Sequence, residues 1–375
     1  MNTEIETEIE REAEREKEIK TNSKYNKYSG KGLSGLANLG NTCYINSCMQ
    51  ILSHTYELNE FLDSVNYKKK VKKMKKVVDA DILIEWDNLR KLLWSKNCII
   101  SPNKFLKTIH QIAEIKGMDE FMGYDQNDMP EFLLFLIDCF HNSISREINM
   151  TVAGNIENET DKVAVKCFEM IKKMYSKEYS EIWNLFYAIH ISEIVSLEND
   201  AKKLQMTPEP FFMLDLPIPE NIKSPTLIDC MNHYVKGEVL EGDNAWYNEE
   251  TKQKENIRKK ISFWSFPTIL VIDLKRFNYR NVKNQILVSF PLDNLDLSEY
   301  VVGYKKSSYV YELYGVCNHS GNVLGGHYTS YVKNANGKWY HFNDTSVSEI
   351  GVGIESNTIV SPKAYTLFYR KKQIE

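Results

Sequence analysis

No part of this chain is apolar for long enough to cross a bilayer. The longest uninterrupted run, Phe-Leu-Leu-Phe-Leu-Ile at 132–137, is far short of the roughly 20 residues a spanning helix needs. A paired cysteine framework is missing too: the seven cysteines are odd in number, and the N-terminus is charged where a secretory leader would be apolar. Both features predict a reducing, intracellular compartment, cytoplasmic or nuclear. Charge of one sign is also lacking. A formal net charge of −4 gives no general attraction to nucleic acid or to an acidic membrane surface, so any partner must be recognised locally. The one dense basic run, at 68–76, has neither a wider basic field nor aromatic stacking partners and reads as a solvated insertion. What remains is a large monomeric enzyme-sized chain. Its 375 residues, 42% of them hydrophobic, bury a substantial core and predict lobes with a cleft between them.

No cofactor motif survives inspection. Gly30-Lys31-Gly32-Leu33-Ser34-Gly35 spells G-x-G-x-x-G, but no strand precedes it and the next helix begins too late for a dinucleotide fingerprint; it reads as a flexible hinge. Residues 1–31 ahead of it carry a glutamate at every even position from Glu4 to Glu18 and too few apolar side chains to dock, which predicts a disordered or lone-helix tail.

The chemistry is concentrated in two distant stretches. In Gly35-Leu-Ala-Asn-Leu-Gly-Asn-Thr-Cys-Tyr-Ile-Asn-Ser-Cys-Met-Gln50, Gly40 and Asn41 supply turn freedom and Thr42 is a fair N-cap. Ile45, Cys48, Met49 and Leu52 then recur at helical spacing, an amphipathic pattern. Cys43 falls in the first turn, where unpaired N–H groups and the helix dipole favour a thiolate. Far downstream, Gly315-Val-Cys-Asn-His-Ser-Gly321 and Leu324-Gly-Gly-His-Tyr-Thr-Ser-Tyr331 read as strand, glycine turn, strand. His327 leads the second strand. His319 is the rival base, loosely placed before the intervening loop. A cysteine with a distant histidine makes a dyad. Trp339-Tyr-His-Phe-Asn-Asp344 reads as the neighbouring strand, bringing Asn343 and Asp344 towards the imidazole as candidates for the third, orienting group.

Between these stretches, Trp86, Leu89, Leu92 and Leu93 mark one helix and Ser101-Pro102 the start of another. Asp128-Met-Pro-Glu131 looks like a capping box opening an apolar helix through Phe132, Phe135, Leu136, Cys139 and Phe140. Beyond about residue 180 the pattern alternates: Phe186, Ala188, His190, then Phe212 to Ile218, with 266–277 a buried strand.

Together, the Asn-Leu-Gly-Asn-Thr-Cys-Tyr-Ile-Asn-Ser box, Gln126-Asn127-Asp128, Leu274-Lys-Arg-Phe277 and the histidine box resemble the ubiquitin-specific proteases, papain-like cysteine deubiquitinases. The resemblance spans nearly all of the chain after residue 31. It implies an α+β papain-like fold with a helical thumb at about 32–178, β-fingers at about 180–262 and a β-rich palm in the remainder. It also implies hydrolysis of the bond after the C-terminal glycine of ubiquitin, with ubiquitin and ubiquitinated proteins as partners and no nucleic acid or membrane. Cys43 matches the nucleophile, His327 the base, Asn343 the orienting residue and Asn38 the oxyanion-hole asparagine, whose other reading is a turn residue. Asp344 follows as electrostatic or oxyanion support. Asp128 matches the aspartate that meets the basic tail of ubiquitin, or else it only caps its helix; Gln126, Phe277, Gly326 and Tyr328 belong with it. Here Asn127 departs from the usual Gln-Gln-Asp. Many members bind structural zinc at the fingertips through two Cys-x-x-Cys pairs, whose places here hold Val195, Glu198, Asn248 and Thr251, so no metal and no cofactor is expected. Two alternatives are a catalytically weak ubiquitin-binding module and a thiol hydrolase acting on a ubiquitin-like modifier.

Overall fold

The computed structural model describes residues 25–73, 78–197, 203–322 and 325–373. Most of the expected tail, together with Glu198 and Leu324, lies outside the described residues.

Helices dominate the first half: α1 (Cys43–Ser53), α2 (Tyr56–Asp63), α3 (Val65–Lys73), α4 (Ala80–Ser95), α5 (Asn103–Lys116), α6 (Met129–Ile144), α7 (Glu159–Tyr175) and α8 (Glu181–Phe186). In α4, Trp86, Leu89 and Leu93 are buried, and in α6 Phe132, Phe135, Leu136, Cys139 and Phe140, as their spacing predicts. These stripes meet in one core. No helix among the described residues is long and apolar enough to cross a membrane.

Three expectations change here. Helix α1, read as amphipathic, is buried along its whole length, because it runs between α6 and the strand that carries His327. Its polar side chains are absorbed by hydrogen bonds, such as Gln50 Nε2 donating to Ser34 O at 2.8 Å. The lysine run, read as a solvated insertion, keeps Lys68 and Lys69 exposed but is helical as far as Lys73 and anchored: Tyr67 just before it is buried and donates to Asp87 Oδ2 at 2.6 Å, and Lys70 pairs with Glu181. Phe186, read as strand, closes α8, which starts where Ser180 Oγ accepts the Trp183 N–H.

The strands are β1 (Gly35–Leu36), β2 (Ile99–Ile100), β3 (Ala188–Ser196), β4 (Lys203–Phe211), β5 (Met213–Pro217), β6 (Glu238–Leu240), β7 (Trp246–Asn248), β8 (Gln253–Glu255), β9 (Ile257–Phe263), β10 (Ile269–Lys275), β11 (Leu295–Asp296), β12 (Val310–Asn322), β13 (Gly325–Lys333), β14 (Trp339–Asn343), β15 (Ser346–Glu349) and β16 (Ala364–Lys371). Among the described residues they form an eight-stranded sheet in the order β15-β14-β13-β12-β16-β10-β5 with β11 beside β12. A four-stranded sheet β4-β3-β9-β6 and the two-stranded pairs β1-β2 and β7-β8 complete the set. Helices on one side and mainly antiparallel sheet on the other make an α+β architecture.

The expected tail ends sooner than Lys31. Tyr25 and Tyr28 are buried with Tyr56 and Ala335, and the Tyr28 ring stacks on Tyr56 at 4.7 Å. The hinge reading of 30–35 fails with it. Gly35 lies so close to Thr345 that a Cβ would sit 2.3 Å from its carbonyl oxygen, so this glycine serves close packing, not flexibility.

Candidate active site

The loop before α1 uses backbone that few residues accept. Gly40 (φ 107°) and Asn41 (φ 52°) both take positive φ, and the chain enters α1 with Cys43 as its first residue. Thr42 occupies the cap position without capping. Its Oγ1 accepts from the Leu39 N–H at 2.9 Å and donates to Asn38 Oδ1 at 3.3 Å, tying the loop to itself. The Cys43 thiol is buried, with the backbone N–H of Tyr328 directed at it. The expected lowering of its pKa is not found. Burial raises it most; the Tyr328 N–H opposes this, the Asp344 carboxylate adds to it, and the N–H groups of Tyr44 and Cys43 pull down again, leaving the thiol above its ordinary range. Such a thiol needs a base.

The candidate base, His327, is positioned by strand pairing. β13 runs antiparallel to β14 with Ser330 facing Phe342, which brings His327 Nε2 to 2.7 Å from Asn343 Oδ1. An amide oxygen only accepts, so Nε2 carries the proton and Nδ1 keeps its lone pair. Gly325 and Gly326, read as a turn, belong to β13 itself, opposite Asn322 and Gly321. His319 is not loosely placed: it sits in β12 across from Tyr328, buried, with Nδ1 3.0 Å from Lys283 Nζ.

β14 ends at Asn343, and Asp344 takes a left-handed φ of 49°. The chain therefore turns between the two residues, and Asp344 faces the nucleophile loop instead of His327. Its Oδ1 accepts from Asn46 Nδ2 at 2.7 Å and its Oδ2 from Asn38 Nδ2 at 3.0 Å. Asn38 Oδ1 in turn accepts from the N–H groups of Gly40 at 3.1 Å and Thr42 at 3.2 Å. The oxygen of Asn38 builds the turn while its amide nitrogen is held on Asp344.

Asp128 stands at the start of α6 without a side-chain cap bond, its carboxylate meeting only the Met129 N–H there. Oδ1 accepts from Tyr328 Oη at 2.9 Å and Oδ2 from Tyr365 Oη at 3.1 Å; burial raises its pKa, with the two hydroxyls working against that. Gln126 Oε1 accepts the Gly326 N–H. The Phe277 and Tyr365 rings lie 5.8 and 5.7 Å from that of His319. Gln126, Asp128, Phe277, Gly326 and Tyr328 are thus brought into one patch leading to His327. The departing residue, Asn127, donates to Glu120 O at 2.6 Å and Tyr44 Oη at 3.2 Å, so it braces its own loop.

The family model for ubiquitin carboxyl-terminal hydrolase matches residues 34–369. The chain belongs to that family. It is 35% identical to ubiquitin carboxyl-terminal hydrolase 2 of Homo sapiens over 353 residues, 92% of this chain and 56% of that protein. Against the Gallus gallus protein of the same name it is 35% identical over 348 residues, 90% of this chain and 93% of that one. The chain spans little more than half the length of its mammalian relatives. A solved SAGA DUB module, Ubp8 with Sgf11, Sus1 and Sgf73 bound to monoubiquitin, matches with TM-score 0.69 and 24% identity over 92% of this chain and 70% of that chain. The shared fold is the α+β papain-like fold the sequence predicted.

At the expected fingertip positions, Val195 is buried in β3 and Glu198 is outside the described residues. Asn248 and Thr251 close the β7–β8 hairpin through one acceptor, Glu255 Oε1, at 2.7 and 2.8 Å. Among the described residues no group of three or more His, Cys, Asp or Glu side chains could hold a metal ion. Three site residues escaped the sequence reading. Asn46 was legible as a polar residue one turn after Cys43 in a largely apolar helix. Tyr365 and Lys283 come from distant strands and loops and carry no local signal.

Proposed function

We propose that the chain is a thiol-dependent deubiquitinase, hydrolysing the isopeptide or peptide bond after the C-terminal glycine of ubiquitin through a thioester on Cys43. The reading is carried by the approach of the Tyr328 backbone to the Cys43 thiol, next to a His327 whose Nε2 is 2.7 Å from Asn343 Oδ1. The names of the relatives and the monoubiquitin in the solved module favour ubiquitin as the substrate. Seven free cysteines, Cys98 alone exposed, favour an intracellular site of action.

His327 Nδ1 takes the thiol proton as Sγ attacks the glycine carbonyl carbon. The oxyanion is met by the Cys43 N–H and by the Asn38 amide hydrogen not engaged with Asp344. Collapse breaks the C–N bond, and His327 returns its proton to the leaving lysine amine. His327 then takes a proton from water, whose oxygen attacks the thioester, releasing ubiquitin with a free carboxylate and regenerating the thiol; such acid–base help contributes roughly 10² to 10⁴ in rate. The patch of Gln126, Asp128, Phe277, Gly326 and Tyr328 holds the substrate tail, with Asp128 attracting its basic side chains.

Incubation with di-ubiquitin and with ubiquitin-based thiol-reactive probes tests this. Cleavage and a single adduct on Cys43 are expected, and Cys43→Ala should abolish turnover while still binding ubiquitin. Substantial turnover by that variant sinks the thiol mechanism. Reaction with a ubiquitin-like probe alone would move the substrate class, and binding without cleavage by the wild type would leave a recognition module.

A further inference from the structure

Lys283 is half-buried at the foot of a hairpin, residues 278–282, that bulges from the sheet just after Phe277. The base of the hairpin is fixed: Phe277 and Lys283 form an isolated bridge, the Asn278 N–H donates to Val282 O at 3.2 Å, and Arg276 Nη1 donates to Asn284 O at 3.1 Å and Ile286 O at 2.9 Å. Its tip is not covered, since Tyr279 is 86% and Val282 60% exposed. Lys283 Nζ reaches across to β12, donating to His319 O at 2.6 Å and to His319 Nδ1 at 3.0 Å. His319 is paired with the strand that opens near the base: a Cβ on Gly326 would sit 2.2 Å from His319 Nε2, and the His319 and Tyr328 rings are 4.6 Å apart. None of this is used in the bond-breaking steps.

We propose that Lys283 and His319 are a positioning pair, a latch that fixes the hairpin 278–282 against β12 beneath Gly326 and so sets the channel through which the substrate's C-terminal tail reaches Cys43. The proposal rests on the deubiquitinase reading. Tyr279 and Val282 are exposed at the tip of the hairpin, which leaves the sheet directly after Phe277 of the tail-binding patch. Large apolar side chains left in water beside a binding patch become favourable contacts once a substrate covers them. The latch holds the hairpin in place before binding, so the cost of ordering it is not charged against affinity.

The electrostatics give the latch a pH range. Burial, then Arg276, brings the Lys283 ammonium down to about 8; burial, then Lys283, brings His319 down to about 4. Arg276 is itself bonded to backbone carbonyls, and Asp128 lies behind the Tyr328 and Tyr365 hydroxyls. Between these pH values a charged donor meets a neutral acceptor. Because burial holds the Lys283 ammonium below its ordinary range in this contact, loss of its proton above about 8 favours the latched arrangement over an open one in which the lysine is solvated.

The test measures ubiquitin affinity in the Cys43→Ala protein, carrying in addition Lys283→Met or Lys283→Arg, with KM and kcat followed in the Cys43 enzyme. Lys283→Met should weaken binding and raise KM about tenfold while kcat stays within about twofold. Lys283→Arg should keep the parent's affinity at pH 7 and hold it flat to pH 9.5, where the parent tightens. Unchanged affinity in Lys283→Met, or a loss confined to kcat, overturns the latch, and so does a Lys283→Arg protein that tightens above pH 8 in step with the parent. Should Lys283→Met fail to fold, the pH comparison of parent and Lys283→Arg decides alone. No ubiquitin binding by the parent overturns the functional reading and the latch together, whereas binding indifferent to Lys283 overturns the latch alone.

Discussion

Asp344 joins three parts of the site: it accepts from Asn38 and Asn46, and its charge bears on the Cys43 thiol. Adjacent strand residues point to opposite faces, so Asn343 and Asp344 had to divide their labour, and motif position alone assigned Asn343 to His327. The contact between His327 and Asn343 was legible in the sequence, as was the turn-building part of Asn38. The direct bond from Asp344 to Asn38 was not, because it depends on a left-handed turn at an aspartate, a conformation that sequence only weakly favours. Two effects of Asp344 then oppose each other. Its hydrogen bonds hold Asn38, the proposed oxyanion donor, while its negative charge disfavours the thiolate. Asp344→Ala should therefore lower kcat about 10²-fold, as loss of an oxyanion donor does. The alkylation of Cys43 by iodoacetamide should meanwhile shift its pH limb downward, since removing a negative charge eases ionisation. Asn343→Ala should also lower kcat markedly, and neither should match His327→Ala, which loses the base itself. Full activity in Asn343→Ala beside a nearly dead Asp344→Ala would make Asp344 the orienting residue, and an unmoved or upward alkylation limb would remove its electrostatic role.

Elements were easiest to read where one face met one core. The stripes of α4 and α6 gave their helices directly, whereas α1 hid its burial because its polar positions, Asn46, Ser47, Gln50 and Ser53, look like a solvent face until their partners are known. The fingertip hairpin shows the converse. Absent cysteines were plain in the sequence; what closes the hairpin instead, Glu255 accepting from both Asn248 and Thr251, was not, because a hydrogen bond across a turn has no fixed spacing. A clasp of this kind needs no metal. Strong chelators should leave the melting temperature unchanged, and Glu255→Ala should speed amide exchange across 246–255, costing the hairpin about 1–2 kcal/mol. Stoichiometric zinc in the purified protein, or protection unchanged in Glu255→Ala, would show that something else closes it.

At the scale of the whole molecule, the front of the described chain binds the helical half to the sheet. Tyr25 and Tyr28 lie on α2 through Tyr56, Tyr28 meets Trp94 of α4 edge-on at 5.0 Å, and the Gly30 N–H donates to Asn334 Oδ1 at 2.9 Å beyond β13. Beneath them Arg370 of β16, buried, pairs with Glu57 at 2.7 Å and stacks on Tyr25, Tyr56 and Tyr314. The sequence misled here because charge dominates 1–31 and averages away two aromatic residues at its end; the strand-rich second half was readable, but the strap across it was not. A desolvated cation surrounded by rings and one carboxylate needs that cover, since stripping one partner from a buried ionic group is costly. Tyr28→Ala removes a stacked, 5% exposed ring and should cost about 3 kcal/mol, seen as a lower urea midpoint. Tyr28→Phe loses only the 2.8 Å bond to Glu60 and should cost about 1 kcal/mol. Because no group of the proposed mechanism touches Tyr28, kcat and KM at 25 °C should be unchanged in both. A midpoint in Tyr28→Ala that matches the wild type would mean that the strap adds nothing to stability, and a fall in kcat at full folding would mean that it reaches the active site.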